Sequence, residues 1–435
     1  MGKVKVLTAR QAADLIKDGD TVTLSGFVAN GIAEALNTAA EERFLETGHP
    51  RDLTLFWVAG TGNKDGSHAD HYAHEGMVKK VIGGHFNFVP KICEMLSENK
   101  IEGYNVPQGA IAQMLRDNAA RKVGTISHVG IGTFADPRNG GGRLSEKTKE
   151  DIVKVIELEG QEQLFYPRIP LDVAFIRGTY ADELGNITLE KEMAPLDATS
   201  QAMAVHNNGG LVVVQVERVV KAGHLDPKLV KIPGIYVDAV VECPADDPKQ
   251  SQSINCTYDP AYAGNTQVPV SSLEPKKLDA KKIIGRRAAM ELKKNVVVNL
   301  GVGVPEWVSS VAAEEGVADE MTLTVECGPV GGVPGGGLRF GGSVNAQAYM
   351  DEGYQFDFYD GGGLDLCFLG LAEVDNNGDV NVSRLGTRIT GSGGFTNISS
   401  NSKKAVFCGT FTNGVKIQTG DGKLTILEEG KKHKF

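Results

Sequence analysis

Long apolar runs are missing from this 435-residue chain. Nowhere do eighteen consecutive apolar residues occur, so no membrane span is expected. Basic runs are equally scarce. Only Lys431-Lys432-His433-Lys434 breaks an acidic balance of net charge −10, which sets nucleic-acid binding aside. Cysteine is sparse and scattered: Cys93, Cys243, Cys256, Cys327, Cys367 and Cys408 form no C-x-x-C pair. That usage argues against a disulfide scaffold and for a reducing, cytoplasmic setting. The opening Met1-Gly2-Lys3-Val4-Lys5-Val6 lacks an apolar signal-peptide core and leads into a helix signal. A metal pattern is absent too. His68, His71 and His74 stand at i, i+3, i+6, which drifts around a helix, and no second Cys/His cluster joins them.

Glycine is what the chain has in excess. The 54 glycines in 435 residues are about 12%, against a usual level of roughly 7%. They cluster, and the densest cluster is Glu326-Cys327-Gly328-Pro329-Val330-Gly331-Gly332-Val333-Pro334-Gly335-Gly336-Gly337. It follows Met321 to Val325, a short apolar run that reads as a buried strand. A lone carboxylate is thus set where a strand ends and a glycine-rich loop begins. Missing Cβ atoms let backbone approach a bulky ligand and offer N–H groups to an oxyanion or phosphate. No G-x-G-x-x-G follows a strand and opens a helix here, so the run is not a dinucleotide fingerprint.

The length calls for two domains, and the chain contains one unit twice. Thr21 to Gly26 matches Val296 to Gly301, each a strand ending at a glycine. Ile32 to Leu36 matches Val304 to Val308, each opening a helix. Leu53 to Gly60 aligns with Met321 to Gly328, setting Val58 opposite Glu326. Leu171 to Ile176 matches Leu364 to Leu369, and each copy then has a D-x-x-G turn, at Asp182 and Asp375. Thr8-Ala9-Arg10-Gln11 reads as a capping box, and Leu278 to Lys294 opens the second copy as a helix. Gly264 to Pro275 reads as the linker, giving domains 1–270 and 276–435. Leu211 to Val216 and Tyr236 to Val241 read as central strands of a largely parallel sheet. Alternating strands and helices predict two homologous open α/β domains with the active site between them, ligands lying at strand carboxyl ends.

The Glu326 segment resembles the family I CoA-transferases, whose nucleophile is the glutamate of an E-x-G-x-x-G-x-x-P-like pattern. The likeness is closest to the single-chain propionate (acetate) CoA-transferases and runs over the whole chain. It also takes in Asp18 to Val22 through Gly26-Phe27, Val106-Pro107-Gln108-Gly109, Gly132 to Gly142, and Tyr359-Asp360-Gly361-Gly362-Gly363-Leu364-Asp365. The resemblance implies CoA transfer between a short-chain acyl-CoA and a free carboxylate of the acetate or propionate type. Glu326 would be the nucleophile, with the Gln108 side-chain amide and the Gly362 backbone N–H as oxyanion donors. Gly328, Gly331, Gly332, Gly361 and Gly363 would contact CoA, a co-substrate in a reaction without cofactor or metal. A homo-oligomer is expected. Family members carry a further C-terminal segment, so the second domain is expected to be incomplete at Phe435.

A carboxylate suits this chemistry for a thermodynamic reason. A serine would give an ordinary ester, too low in energy to regenerate a thioester. A carboxylate gives a mixed anhydride and then a glutamyl-CoA thioester, so exchange stays nearly isoergic. Cys327 has no histidine partner at a useful spacing, and His85, after Gly83-Gly84, is a candidate for the cleft but reads first as a hydrogen-bonded structural histidine. A 3-oxoacid transferase is the alternative within the class, and a dicarboxylate acid would want a cation such as Arg339 or Arg384. A sugar-phosphate isomerase would need a phosphate nest and a general base. A non-catalytic acyl-CoA-binding protein has no use for Glu326.

Overall fold

Apolar runs of the Val/Ile-rich kind become buried strands in a computed structural model that describes residues 2–269 and 275–435. Val212, Val213, Val214 and Val216 are fully buried in the strand Leu211–Val216, since helices or loops cover both faces of a parallel sheet. Each such side chain contributes about 1.5–3 kcal/mol of burial. Eight strands form this sheet, all parallel. Their order is Lys5–Leu7, Ala239–Glu242, Leu211–Val216, Val173–Arg177, Thr21–Leu24, Leu53–Trp57, Val78–Gly83, Glu102–Asn105.

A second sheet of six strands repeats part of that order. Ala405–Cys408, Leu366–Gly370, Val297–Leu300 and Thr322–Thr324 run parallel, as their counterparts do in the first sheet. Then the direction changes: Pro329–Val330 and Ala348–Tyr349 complete the sheet with antiparallel pairing. The expected α/β class and paired open sheets are present. Matching bonds tie the strand starts in both halves. Asp172 Oδ2 accepts from Thr21 N at 2.8 Å, and Asp365 Oδ2 accepts from Val297 N at 2.9 Å. The two D-x-x-G turns also agree, Asp182 and Asp375 each accepting two backbone N–H groups further along the turn.

Thr8 caps the helix Ala9–Ala13 through a full capping box with Gln11. The second copy's helix is shorter than read, Ala280–Ala289, with Asp279 as its cap. Two readings shift. Lys5–Leu7 is an edge strand before that first helix, and Gly234–Tyr236 is a 3₁₀ turn, leaving Ala239–Glu242 as the strand. Part of the linker reading, residues 270–274, lies outside the described residues. Near the chain end, Lys423–Glu428 pairs with Lys416–Gly420 as an exposed hairpin. Among the described residues, no helix is long and apolar enough to cross a membrane.

The halves meet along the helix Gln108–Ala119. Pro107 precedes it as the N-cap, at φ −52° and ψ 133°. At the second helical position a side chain is impossible. A Cβ on Gly109 would lie 2.4 Å from Asn397 Nδ2 and 2.7 Å from Phe356 Cδ1. Gly109 N instead donates to Asn397 Oδ1 at 3.0 Å, and Gln113 Nε2 donates to Asp360 Oδ2 at 3.0 Å. Arg116 pairs with Asp357 on the same face.

Candidate active site

Glu326 lies in the turn that reverses the chain between Thr322–Thr324 and Pro329–Val330. Val325 N donates to Pro329 O and Gly328 N to Val325 O, both at 3.0 Å. Gly328, at φ +137°, is required there: a Cβ would meet Met350 O at 2.3 Å. The turn leaves the Glu326 carboxylate 7% exposed, at the wall of a cavity of about 480 Å³. Both halves line it. Phe27, His85 and Gln108 come from the first half, and Val302, Glu326 and Gly394 from the second.

The carboxylate has few partners. Asn299 Nδ2 approaches Glu326 Oε2 at 3.4 Å, and no ion pair to Glu326 forms among the described residues. Behind it, Tyr359 Oη donates to Thr324 Oγ1 at 2.8 Å and accepts from Gln355 Nε2 at 2.9 Å. Burial without a cation pushes the Glu326 carboxyl up to about 7, against a small opposing pull from its hydrogen bonds. Near neutral pH a large share is ionised yet poorly solvated, which suits a nucleophile. Cys327, next in the chain, is buried with Sγ on Gly341 O at 3.2 Å, and burial holds its thiol protonated. It is no competing nucleophile.

Gln108 begins its helix at the cleft, its backbone N donating to Gly393 O at 3.1 Å. Its side chain is 2% exposed, and Nε2 donates to Glu352 Oε1 at 2.5 Å. The expected role of Gly362 is corrected by the structure. Its N–H donates to Tyr359 O at 3.0 Å, so it closes a helix end instead of facing the cleft. Gly361 N and Gly363 N are likewise taken by Asp357 O and Phe358 O. The other glycines expected to touch CoA do not line the cavity either. Gly328 packs on Met350, Gly331 N donates to Leu323 O at 2.7 Å, and Gly332 packs on Val344. They shape the turn behind Glu326.

Six other glycines line the cavity, Gly60, Gly301 and Gly370 and the group Gly391, Gly393 and Gly394 on one loop. This loop belongs to the second half but is clamped to the first: Gly393 N donates to Gly84 O at 2.8 Å and Ser392 N to Asn105 Oδ1 at 3.0 Å. Gly394 N has no partner among the described residues. A Cβ on Gly394 would lie 3.5 Å from Glu326 Cγ, and one on Gly393 would lie 3.3 Å from Gln108 Oε1. The signal was present as Gly391-Ser392-Gly393-Gly394 just ahead of the helix Phe395–Asn401. His85 takes the cleft position and, among the described residues, lacks the hydrogen bond expected of a structural histidine. It faces the cavity, its Nδ1 has no partner, and burial lowers it to about 4, so it is neutral. In the other histidine row, His71 bridges Glu34 and Glu41 and His74 bonds Glu41, while His68 is fully buried with neither ring nitrogen partnered among the described residues.

Paired α/β sheets, with a buried glutamate in the cleft between them, define the class. The coenzyme A transferase profile matches residues 6–243, and the chain belongs to that family. It is a CoA-transferase. Acetate CoA-transferase YdiF of Escherichia coli O157:H7 is 44% identical over all of this chain and 82% of its own length. The caffeate CoA-transferase of Acetobacterium woodii is 42% identical, over 99% of this chain and 83% of that enzyme. Among solved structures, the thioester complex with CoA of the E. coli O157:H7 acyl-CoA transferase YdiF matches with a TM-score of 0.93. That match has 42% identity and covers all of this chain and 82% of that one.

Proposed function

We propose that the enzyme exchanges CoA between a short-chain acyl-CoA and a free monocarboxylate through a thioester on Glu326. The Glu326 carboxylate attacks the thioester carbonyl and expels CoA as its thiolate, leaving an acyl-glutamyl anhydride. The thiolate then attacks the glutamyl carbonyl, so the donor acid leaves and CoA is held as a glutamyl thioester. The acceptor acid repeats both steps in reverse. The observation that carries this reading is a carboxylate buried without a cation in a cleft shared by two halves.

Each tetrahedral intermediate needs donors for its oxyanion. Gln108 Nε2 has one hydrogen beyond the bond to Glu352, and Gly394 N–H is unengaged beside Glu326, so these two take the role. Water must stay out, because the glutamyl thioester hydrolyses. Clamping of residues 391–394 onto the first half supports that exclusion. Two cations line the cavity, Arg388, which donates to Asn87 Oδ1 at 2.9 Å, and Lys434, which donates to Leu371 O at 3.2 Å, while neither cation considered for a second carboxylate does. Arg339 is held by Asp259 at 3.0 Å, and Arg384 bonds its own turn at Gly386 O. A relative that uses acetate, named for that acid, supports the short-chain assignment.

Incubation with acetyl-CoA and no acceptor tests the mechanism. The peptide holding Glu326 should gain the mass of CoA less water, and borohydride should then reduce that residue. Steady turnover with no covalent CoA on this peptide would overturn the assignment.

A further inference from the structure

Behind Gln108 lie two buried carboxyls that the transfer chemistry does not itself consume. Glu352 opens the helix Glu352–Asp360 in the second half and is 1% exposed. Asp197 stands at the N-cap of the helix Ala198–Asn207 in the first half and is 6% exposed. Glu352 N donates to Leu196 O at 3.0 Å, which brings its carboxyl beside that of Asp197, and each carboxyl acts on the other's titration. Glu352 Oε1 then accepts from Gln108 Nε2 at 2.5 Å. Three side chains from alternating halves thus form one chain that ends at the cleft.

The charges around this pair do not explain it. Glu326 and Gln108 face Glu352, while Asp351 and Arg116 face Asp197. Arg116, the one cation among them, is already paired with Asp357. Two ionised carboxyls at this depth would repel and lose hydration together, so the pair retains a proton. Burial and mutual repulsion raise both groups, Glu352 well above the carboxylate range and Asp197 to about 7.

That proton has a geometric consequence. A primary amide has two ends of similar shape and opposite polarity, and its partners decide which end points where. With Glu352's proton directed at Asp197, Oε1 can only accept. Only the Nε2 end of Gln108 can meet it. We infer that Glu352, seated on Asp197, is a positioning residue for CoA transfer: it fixes the amide orientation of Gln108, leaving the second Nε2 hydrogen for the reacting oxygen. An amide free to turn over would at times present Oε1 to a developing oxyanion, where it repels. The inference rests on reading Gln108 as a donor, and the experiment separates the two.

Steady-state kinetics of Glu352→Gln, Gln108→Ala and the double variant provide that experiment. Glu352→Gln keeps the volume but can donate or accept toward Gln108, so the selection is lost. kcat should fall about tenfold while KM for acyl-CoA stays within about twofold. In the Gln108→Ala background the same change should cost nothing further, because its effect acts through that amide. Glu352→Met, apolar and of similar size, should repeat the pattern if the first variant folds poorly. A wild-type kcat in Glu352→Gln beside a slow Gln108→Ala would overturn the positioning role alone. Additive losses in the double variant would also overturn it, since a structural defect acts independently of Gln108. An unimpaired Gln108→Ala would remove the donor reading and this inference with it.

Discussion

The two halves share four parallel strands in the same order and part company just after the strand that leads to Val58 in one and Glu326 in the other. In the first half the chain crosses over and adds Val78–Gly83 and Glu102–Asn105, both parallel. In the second it turns back at once into the antiparallel Pro329–Val330. A crossover moves the backbone off across a sheet face, whereas a tight turn holds one side chain at the sheet's end. Val58 is accordingly a core residue under Gly84, while Glu326 is a buried acid facing a cavity. The first half has no carboxylate at the matching position, and its Gln108 lines the same cavity as Glu326. On the proposed mechanism this division sets the nucleophile Glu326 and the donor Gln108 on separate halves, so the site exists only when the halves are packed.

Removing the feature unique to the second half should have the largest effect. Glu326→Gln should lower transfer by several orders of magnitude, because an amide cannot act as the nucleophile. Glu326→Asp should fail as well, since losing one methylene withdraws the carboxylate by more than about an ångström. Restoring a carboxylate on the other half, as Val58→Glu in the Glu326→Gln background, should recover nothing. Rate assays with acetyl-CoA and propionate check all three, and recovery in the last would undo the contrast drawn between the turn and the crossover. Next comes the first half's contribution. Gln108→Ala should reduce kcat by roughly 10²–10³ with little change in melting temperature, as for a lost oxyanion donor. A raised KM with kcat intact would move Gln108 to substrate binding.

Burying an unpaired acid should also have a measurable cost in stability. The Glu326 carboxyl titrates near 7 in the folded protein, against an ordinary 4.5. Between those values the native state binds more protons than the unfolded chain, so stability falls as pH rises through the window. Glu326→Gln removes that term. At pH 8 the variant should be more stable than wild type by on the order of 2–3 kcal/mol, and near pH 4 the gap should close. Urea melts at the two pH values provide the comparison. Equal stabilities at pH 8 would mean that the carboxylate is better solvated than its surroundings indicate.

Much of this arrangement could be read without coordinates, because its signals are local. Apolar runs such as Leu211 to Val216 mark buried strands, and Thr8 with Gln11 marks a helix start. The repeat was legible since Asp172 and Asp365 make the same bond from the same place. What escaped depends on contacts distant in sequence. Gly361-Gly362-Gly363 and Gly391-Ser392-Gly393-Gly394 look alike as strings, yet the first ends a helix and the second leaves Gly394 N–H free at the cleft. Nothing near Glu352 or Asp197 in the sequence distinguishes them from surface acids. They meet across 155 positions only because the helix Gln108–Ala119 docks on the second half. His85 was misjudged for the same reason: its missing partner is a property of the cavity wall.

The smallest expected effect concerns the bond that the halves still share. Asp172 and Asp365 each hold the first backbone N–H of a central strand, but their settings have diverged. Asp172 is exposed, whereas Asp365 is half-buried and also pairs with Lys403 at 2.6 Å. That lysine, and then the Val297 N–H, hold the Asp365 carboxyl below its ordinary range. Its contribution is therefore present above the usual carboxylate pKa and is lost as pH falls through the lowered one. Asp365→Asn keeps the shape and an acceptor oxygen while removing the charge, so it should cost about 1 kcal/mol at pH 7. Asp172→Asn should cost roughly half as much, because water already screens that carboxylate. Chemical denaturation of the two variants, read at the transition of each half, makes the comparison. Equal losses would show that Lys403 adds nothing and that the two strand starts remain energetically equivalent. A larger loss at Asp172 would reverse the assignment, making the first half the more dependent on its aspartate.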